Sequence, residues 1–381
     1  MDDALIILVT LATVYALHLD TKTSTIVVLG VFLLNEIAKS HTLRLHLVND
    51  ANGLNESLIL DAEMNGSKTL FMLDTGYAGA LVISSSYLSV QHEFERGSVS
   101  QRYRESLAKL SKGVTDDMRH GAINRLIRYR ECQSYTSGCT MTLAGIGSVV
   151  QQQADMLMCK PLRFKNSWGF FTTPGSKQKP SADVLVTNPL ASSVHIMTCD
   201  YLLHSSPALI CMKRQTLQLF LSPIITRMIS TTFQFVDSYM VGGAFVVPIE
   251  IQGGEVLQVT MDTGAPGPLC LSSNAVHKLK HCTRPTKRKV HQGGVNGERI
   301  CSDILYTSAI IGGISFKKIG VFVNDVEVDG VDGYMGLAVL RALDILILPD
   351  RVGFRKSGLS PELEFKRSAS GSCTDAYACE L

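Results

Sequence analysis

Tryptophan occurs once in 381 residues, at Trp168, and only 18% of the chain is charged. The charges nearly cancel, 36 Lys and Arg against 34 Asp and Glu for a net +2. A chain so close to neutral gives no reason to expect a nucleic-acid partner. The ten cysteines, at 132, 139, 159, 199, 211, 270, 282, 301, 373 and 379, contain no close C-x-x-C pair. That argues against a zinc ribbon and against a dithiol redox motif. His195, His204, His277 and His291 are scattered without metal-ligand spacing, so neither a metal nor another cofactor is expected. No glycine-rich phosphate loop opens a helix. Ser84 and Ser272 lack the G-x-S-x-G setting of a serine nucleophile.

What the chain does have is apolar content, 45%, and a repeat. LFMLDTGYAGALVIS, residues 70–84, reads as an apolar strand, a glycine-containing turn and a second apolar strand, with Asp74 at the end of the first. VTMDTGAPGPLCLS, residues 259–272, repeats the pattern with Asp262 in the matching place, and a Ser follows each Asp by ten residues, at Ser84 and Ser272. One Asp-Thr-Gly triplet is an ordinary turn. Two with matching apolar flanks predict a duplicated domain that brings two carboxylates to a symmetric centre. Two such groups within hydrogen-bond reach cannot both ionise cheaply, so one keeps a proton and the pair titrates as a unit. That state suits activation of a water by the charged member while the protonated member polarises a carbonyl.

Around this repeat the chain divides readily. Residues 1–40 hold two apolar stretches, 4–19 and 24–35, expected as one or two membrane-spanning segments; a buried strand pair or an uncleaved leader is the alternative. Residues 41–221 form the first lobe, 222–240 a linker, 241–356 the second lobe, and the Ser-rich residues 357–381 a flexible tail. Alternating segments predict strands over most of both lobes. Residues 91–131 are polar and Arg-rich and predict one or two surface helices with a solvated face. Gly253 and Gly254 mark a hairpin turn. Tyr135 and Gly138 lie in or near a predicted hairpin tip, and residues 280–300 suggest a mobile loop over a cleft. Residues 156–170 echo 310–324, with Phe164 set against Phe316, a second repeat in the same order as the triplets. Cys211 and Cys270 lie in apolar runs and are read as buried thiols. Cys282 with Cys301, and Cys373 with Cys379, are candidate disulfides in an oxidising compartment.

These residues resemble the two-lobed, pepsin-like aspartic proteases, with lobes that also look like retroviral-type protease subunits, over about residues 55–356. The resemblance implies a mostly β, bilobal fold of pseudo-twofold duplicated lobes, preceded here by the hydrophobic N-terminal segments. It implies an endopeptidase whose dyad is Asp74 and Asp262. Thr75 and Thr263 would make the hydrogen-bonded grip between the loops, and Gly76 and Gly264 would let backbone amides approach the carboxylates. Tyr135 and Gly138 would belong to the flap over an extended polypeptide substrate. The implied catalytic unit is a monomer; the apolar N-terminal segments, not the resemblance, lead us to expect attachment to a membrane in the secretory or endomembrane system. The family places a glycine-bearing strand under each catalytic loop. Tyr334-Met335-Gly336 matches it in the second lobe, but Ile196-Met197-Thr198 has Thr where the family has Gly. Tyr77 and Ala265 stand where Ser or Thr is common in the family. The other readings are a catalytically inactive, peptide-binding or scaffolding member of the fold, and a β domain whose triplets are only turns.

Overall fold

The computed structural model describes residues 20–39, 41–49, 56–64, 66–77, 81–128, 132–145, 148–159, 163–166, 171–172, 182–187, 194–204, 207–279, 283–293, 299–324 and 330–361. Among these the chain is mostly β and is carried by two sheets. It enters through helix α1, Thr21–Lys39. Asp20 caps this helix, accepting from the Lys22 and Thr23 amides at 2.9 and 3.1 Å. Although α1 covers the second apolar stretch, no helix among the described residues is long and apolar enough to cross a membrane. This runs against the transmembrane helix expected there. The other stretch, 4–19, lies outside the described residues.

The first half supplies β1 His41–Asn49, β2 Glu56–Met64, β3 Ser67–Leu73 and β4 Leu81–Ser84. Helices α2 Ser85–Val90, α3 Val99–Leu110 and α4 Asp116–Arg128 follow. Next come β5 Cys132–Gly145, β6 Ser148–Cys159, β7 Arg163–Lys165, β8 Phe171–Thr172, β9 Ala182–Thr187 and β10 His195–Met197. Helix α5, Cys199–His204, leads to β11 Ala208–Cys211 and β12 Thr216–Leu219. In the second half come α6 Pro223–Ser230, β13 Gln234–Asp237, β14 Tyr239–Val241, β15 Ala244–Ile251, β16 Val256–Asp262, β17 Leu269–Ser272 and α7 Ser273–Lys278. The chain continues through β18 Arg284–Gly293, β19 Arg299–Ile311, β20 Ile314–Asn324, β21 Gly333–Gly336, α8 Leu337–Leu340, β22 Leu343–Ile347 and β23 Arg351–Lys356.

Strand pairing repeats between the halves. β2 and β3 form a hairpin, as do β15 and β16. The second of these turns at Gly253 and Gly254, both at positive φ (109° and 89°), where glycine carries no steric cost. β10 runs parallel to β3 with Met197 opposite Leu73, and β21 runs parallel to β16 with Met335 opposite Met261. β4 lies antiparallel to β10 through Val82 and Ile196, and β17 lies antiparallel to β21 through Cys270 and Tyr334. Val82 and Cys270 thus stand in the same relation as Asp74 and Asp262. Ser84 and Ser272 also correspond. Each caps the helix that follows, accepting from the amides of Tyr87 and Ala275 at 3.1 Å.

The second repeat holds in a different register. Phe164 faces Ala62 on β2, and Ile310 faces Glu250 on β15. Phe164 pairs with Thr172, and Ile310 with Ser315. The counterpart of Phe164 is therefore Ile310, not Phe316. The second half runs straight on through β20, whereas the first half breaks into the short β8 and the later β9, so a linear match of the two stretches slips.

Residues 222–240 do more than link. Ser222 caps α6, β13 pairs with β23, and β14 pairs with β15. Ser357, placed in the tail by its sequence, is buried, and its amide donates to Ala342 O at 2.8 Å. The first sheet also takes in the last strands: β22 pairs with β11, and β23 with β22 and β13. One apolar cluster runs through both halves, from Leu43 and Phe71 to Val259, Ile345 and Phe354. A second, with Ile59, Met72, Val82, Tyr87, Val99 and Tyr103, lies between the first sheet and its helices. Cys211 and Cys270 are buried thiols, as expected. Cys301 sits opposite His291, while Cys282, Cys373 and Cys379 lie outside the described residues.

His195 is the first half's packing histidine. Its Nδ1 accepts from the Ser84 amide at 3.0 Å, so Nε2 carries the proton and faces Gln91 Oε1 at 3.3 Å. Its ring packs on Phe71 and Tyr87. Burial pushes its pKa down to about 3. The unfolded chain, with a His pKa near 6.5, takes up the proton first. His195 therefore contributes stability above about pH 6.5 and loses it as pH falls toward 3, at roughly 1.4 kcal/mol per pH unit. Urea midpoints measured between pH 7 and 4 should fall faster for the wild type than for His195→Asn, whose side chain has no such proton to gain. Parallel curves would show that His195 does not carry the acid sensitivity.

Candidate active site

Both Asp-Thr-Gly segments leave the ends of apolar strands, β3 and β16, and turn at once, so each carboxylate emerges where its strand stops pairing. The structure brings the two together. Asp74 and Asp262 share a side-chain hydrogen bond although they come from opposite halves of the chain. Asp74 Oδ1 accepts from the amides of Gly76 and Tyr77 at 2.9 and 3.0 Å. Asp262 Oδ1 accepts from those of Gly264 and Ala265, both at 2.9 Å. Each loop thus fixes one oxygen of its carboxylate, Oδ1, through two backbone amides.

The threonines lock the loops crosswise. Thr75 Oγ1 donates to Met261 O at 2.8 Å and accepts from the Thr263 amide at 3.1 Å. Thr263 Oγ1 donates to Leu73 O at 2.7 Å and accepts from the Thr75 amide at 3.1 Å. Four reciprocal bonds in a buried setting hold the two strand ends at a set distance, the kind of support that fixes reacting groups. The glycines are required by close approach. A Cβ on Gly76 would lie 2.7 Å from Asp262 Oδ2, and one on Gly264 would lie 2.5 Å from Asp74 Oδ2. Any side chain at either position would push the opposite carboxylate away.

Burial raises the pKa of both acids, and the charge of Asp262 raises Asp74 further. The backbone amides pull in the other direction at each. Asp74, only 6% exposed, is raised the more strongly. Burial and the closeness of the two acids therefore let the pair hold one proton above the usual carboxylate range, as a unit.

Thr198 occupies the place of Gly336: Asp74 and Thr198 follow the Leu73–Met197 pair, as Asp262 and Gly336 follow Met261–Met335. A Cβ on Gly336 would approach Ala265 O to 2.7 Å, so the second loop lies tight on its strand. Beneath the first loop Thr198 is fully buried, yet the ties are kept. The Asp74 amide donates to Met197 O at 2.9 Å, and the Cys199 amide donates to Tyr77 O at 3.0 Å, as the Leu337 amide does to Ala265 O at 2.7 Å. The cradle of Asp74 thus survives the change from glycine. Tyr77 is half-buried against the apolar cluster beneath α2 and α3, and burial followed by the Asp74 charge raises its hydroxyl pKa.

Tyr135 and Gly138 sit elsewhere than expected. The β5–β6 hairpin turns after Gly145, and Tyr135 pairs with Leu157 while Gly138 falls where the ladder skips between Thr136 and Cys139. Tyr135 lies toward the base of the hairpin and Gly138 midway along it, neither at the tip, because β5 runs on as a strand well past the Tyr-Thr-Ser-Gly segment that reads as a turn. Its counterpart is the β18–β19 hairpin, formed by the segment read as a mobile loop. Among the described residues, no cluster of His, Cys, Asp or Glu is placed to hold a metal ion.

Sequence reasoning missed Arg102. It lies in the helical stretch read as solvated, yet it is 2% exposed and its Nη1 donates to Asp61 at 2.7 Å. The signal was present in Asp61 itself, an acid inside the apolar strand ESLILDAEM, where burial demands a partner.

No family model matches the chain, and no curated protein matches it. Among solved structures, the crystal structure of basic 7S globulin from soybean is similar at TM-score 0.40 and 11% identity, covering 87% of this chain and 99% of that one. A likeness of that degree assigns nothing further to this chain.

Proposed function

We propose that this protein is an aspartic-type endopeptidase of the pepsin-like architecture, with Asp74 and Asp262 as its dyad. One observation carries the reading: two carboxylates, one from each half, share a hydrogen bond inside a reciprocal threonine bridge. In this mechanism Asp262 takes a proton from a water lying between the carboxylates as that water attacks the scissile carbonyl. Asp74 gives its proton to the carbonyl oxygen as negative charge develops there. The tetrahedral diol then collapses, returning a proton to Asp74 and passing the one on Asp262 to the leaving amine. A polypeptide in extended form would lie against the β5–β6 hairpin as an added strand, with Tyr135 near its base and Gly138 midway along it. The supporting pattern is the repeated parallel strand under each loop and the matched hairpins that flank it. The likeness to retroviral-type subunits rests on the Asp-Thr-Gly loops and their strands alone.

The second reading is a peptide-binding protein of the same architecture that does not turn its ligand over. The depth of Asp74, together with Thr198 in the glycine position, favours it. A peptide-library cleavage assay run across pH, with a hydroxyl-bearing transition-state peptide as inhibitor, separates the two. Hydrolysis is expected where the pair holds one proton, and it should fall once both acids ionise. Peptides that bind but survive at every pH would overturn the peptidase reading in favour of the second.

A further inference from the structure

β5 and β6 form the long hairpin at the edge of the first sheet, and their ladder ends, away from the turn, on one rung where Cys132 faces Cys159. Residues directly opposite on antiparallel strands have Cα atoms about 4.5–5.5 Å apart and share one face of the ribbon. A disulfide needs Cα atoms about 4.4–6.8 Å apart, a range that includes directly opposed residues; the ladder shifts by one residue just past this rung, between Cys132 and Ser134. On its other side Cys159 pairs with Ala182 of β9. The hairpin's third cysteine, Cys139, faces Ala154 and has no cysteine across from it. On the matching hairpin of the second half, Cys301 faces His291.

We propose that Cys132 and Cys159 form a cross-strand disulfide that closes the base of this hairpin, a covalent site independent of the peptidase reading. A disulfide such as oxidised glutathione supplies the oxidant. One cysteine thiolate attacks it, forming a mixed disulfide and releasing one glutathione thiolate. The second cysteine then attacks the protein-bound sulfur and expels the other. Two protein thiols are oxidised, and one glutathione disulfide is reduced to two thiols that take up the two protons. The bond joins the strand that follows helix α4 to the strand that returns from the turn, so it restricts the unfolded chain across the whole hairpin.

The test uses the full chain equilibrated in excess oxidised glutathione, with circular dichroism confirming that it is folded. Free thiols are then alkylated and the protein is cut with chymotrypsin. Cleavage after Tyr129, Tyr135, Leu143, Leu157 and Leu162 places Cys132, Cys139 and Cys159 on separate peptides. The expected result is a reducible link between the Cys132 and Cys159 peptides, retained in Cys139→Ser. Oxidation should also raise the melting temperature by several degrees in the wild type and not in Cys132→Ser. Alkylation of both Cys132 and Cys159 in the folded, oxidised protein, or a link from either one to Cys139, would overturn the proposal.

Discussion

Asp262→Asn is expected to lower peptide hydrolysis by at least about 10³-fold while leaving the protein as stable as the wild type or more so at neutral pH. The substitution keeps an acceptor oxygen for the amides of Gly264 and Ala265. It removes the group that must be ionised to take the proton from water. It also removes a buried charge whose pKa burial has already raised, so the fold gains rather than loses. Asp74→Asn should lose activity to the same degree, since it removes the proton given to the carbonyl oxygen. The stability arm distinguishes a lost acid from a damaged fold. The linkage sign agrees: with both folded-state pKa values raised, the pair's contribution is greatest below the unfolded carboxylate range and declines as pH rises through the folded values. Normal hydrolysis in either purified variant would refute the dyad.

Arg102→Met should destabilise the fold by about 3–5 kcal/mol, because it leaves the Asp61 carboxylate buried without its closest partner. Lys165 Nζ, 3.6 Å from Asp61 Oδ2 and partly exposed, offsets some of that loss. Arg102 Nε and Nη2 have no acceptor, so the pair is held at a desolvation cost that its one short contact only partly repays. Replacing both partners, Asp61→Leu with Arg102→Met, should therefore recover most of the loss. Urea unfolding of the two single variants and the double variant measures this coupling directly. Additive effects would show that the two side chains do not act as a pair.

Much of the centre was legible in the sequence because its requirements are local. An acid at the end of an apolar strand, a threonine and a close-approach glycine form a short pattern, and its repetition predicted the meeting of Asp74 and Asp262. The duplicated strands were legible for the same reason, as were the two helices within 91–131. What could not be read depended on register or on distant partners. Tyr135 reads as near a tip because Ser137 and Gly138 resemble a turn, whereas the ladder accommodates them as an irregularity and continues. Phe164 was matched to Phe316 by local likeness, although strand pairing matches it to Ile310. Arg102 looked solvated because nothing near it in sequence shows Asp61 waiting beneath. An apolar stretch at 24–35 reads as a membrane span, but no helix among the described residues is long and apolar enough to cross a membrane.

The capture of β22 and β23 by the first sheet sets an order of events during synthesis. Until residues 343–356 have been made, β11 has no neighbour on one side and presents an open edge through Ala208, Leu209 and Ile210. Such an edge is a template for foreign strands. Contacts this far apart in sequence also close slowly. Nascent chains stalled before residue 343 should therefore be the aggregation-prone species, and a chaperone that covers the β11 edge would have its greatest effect just before the ribosome finishes this strand pair.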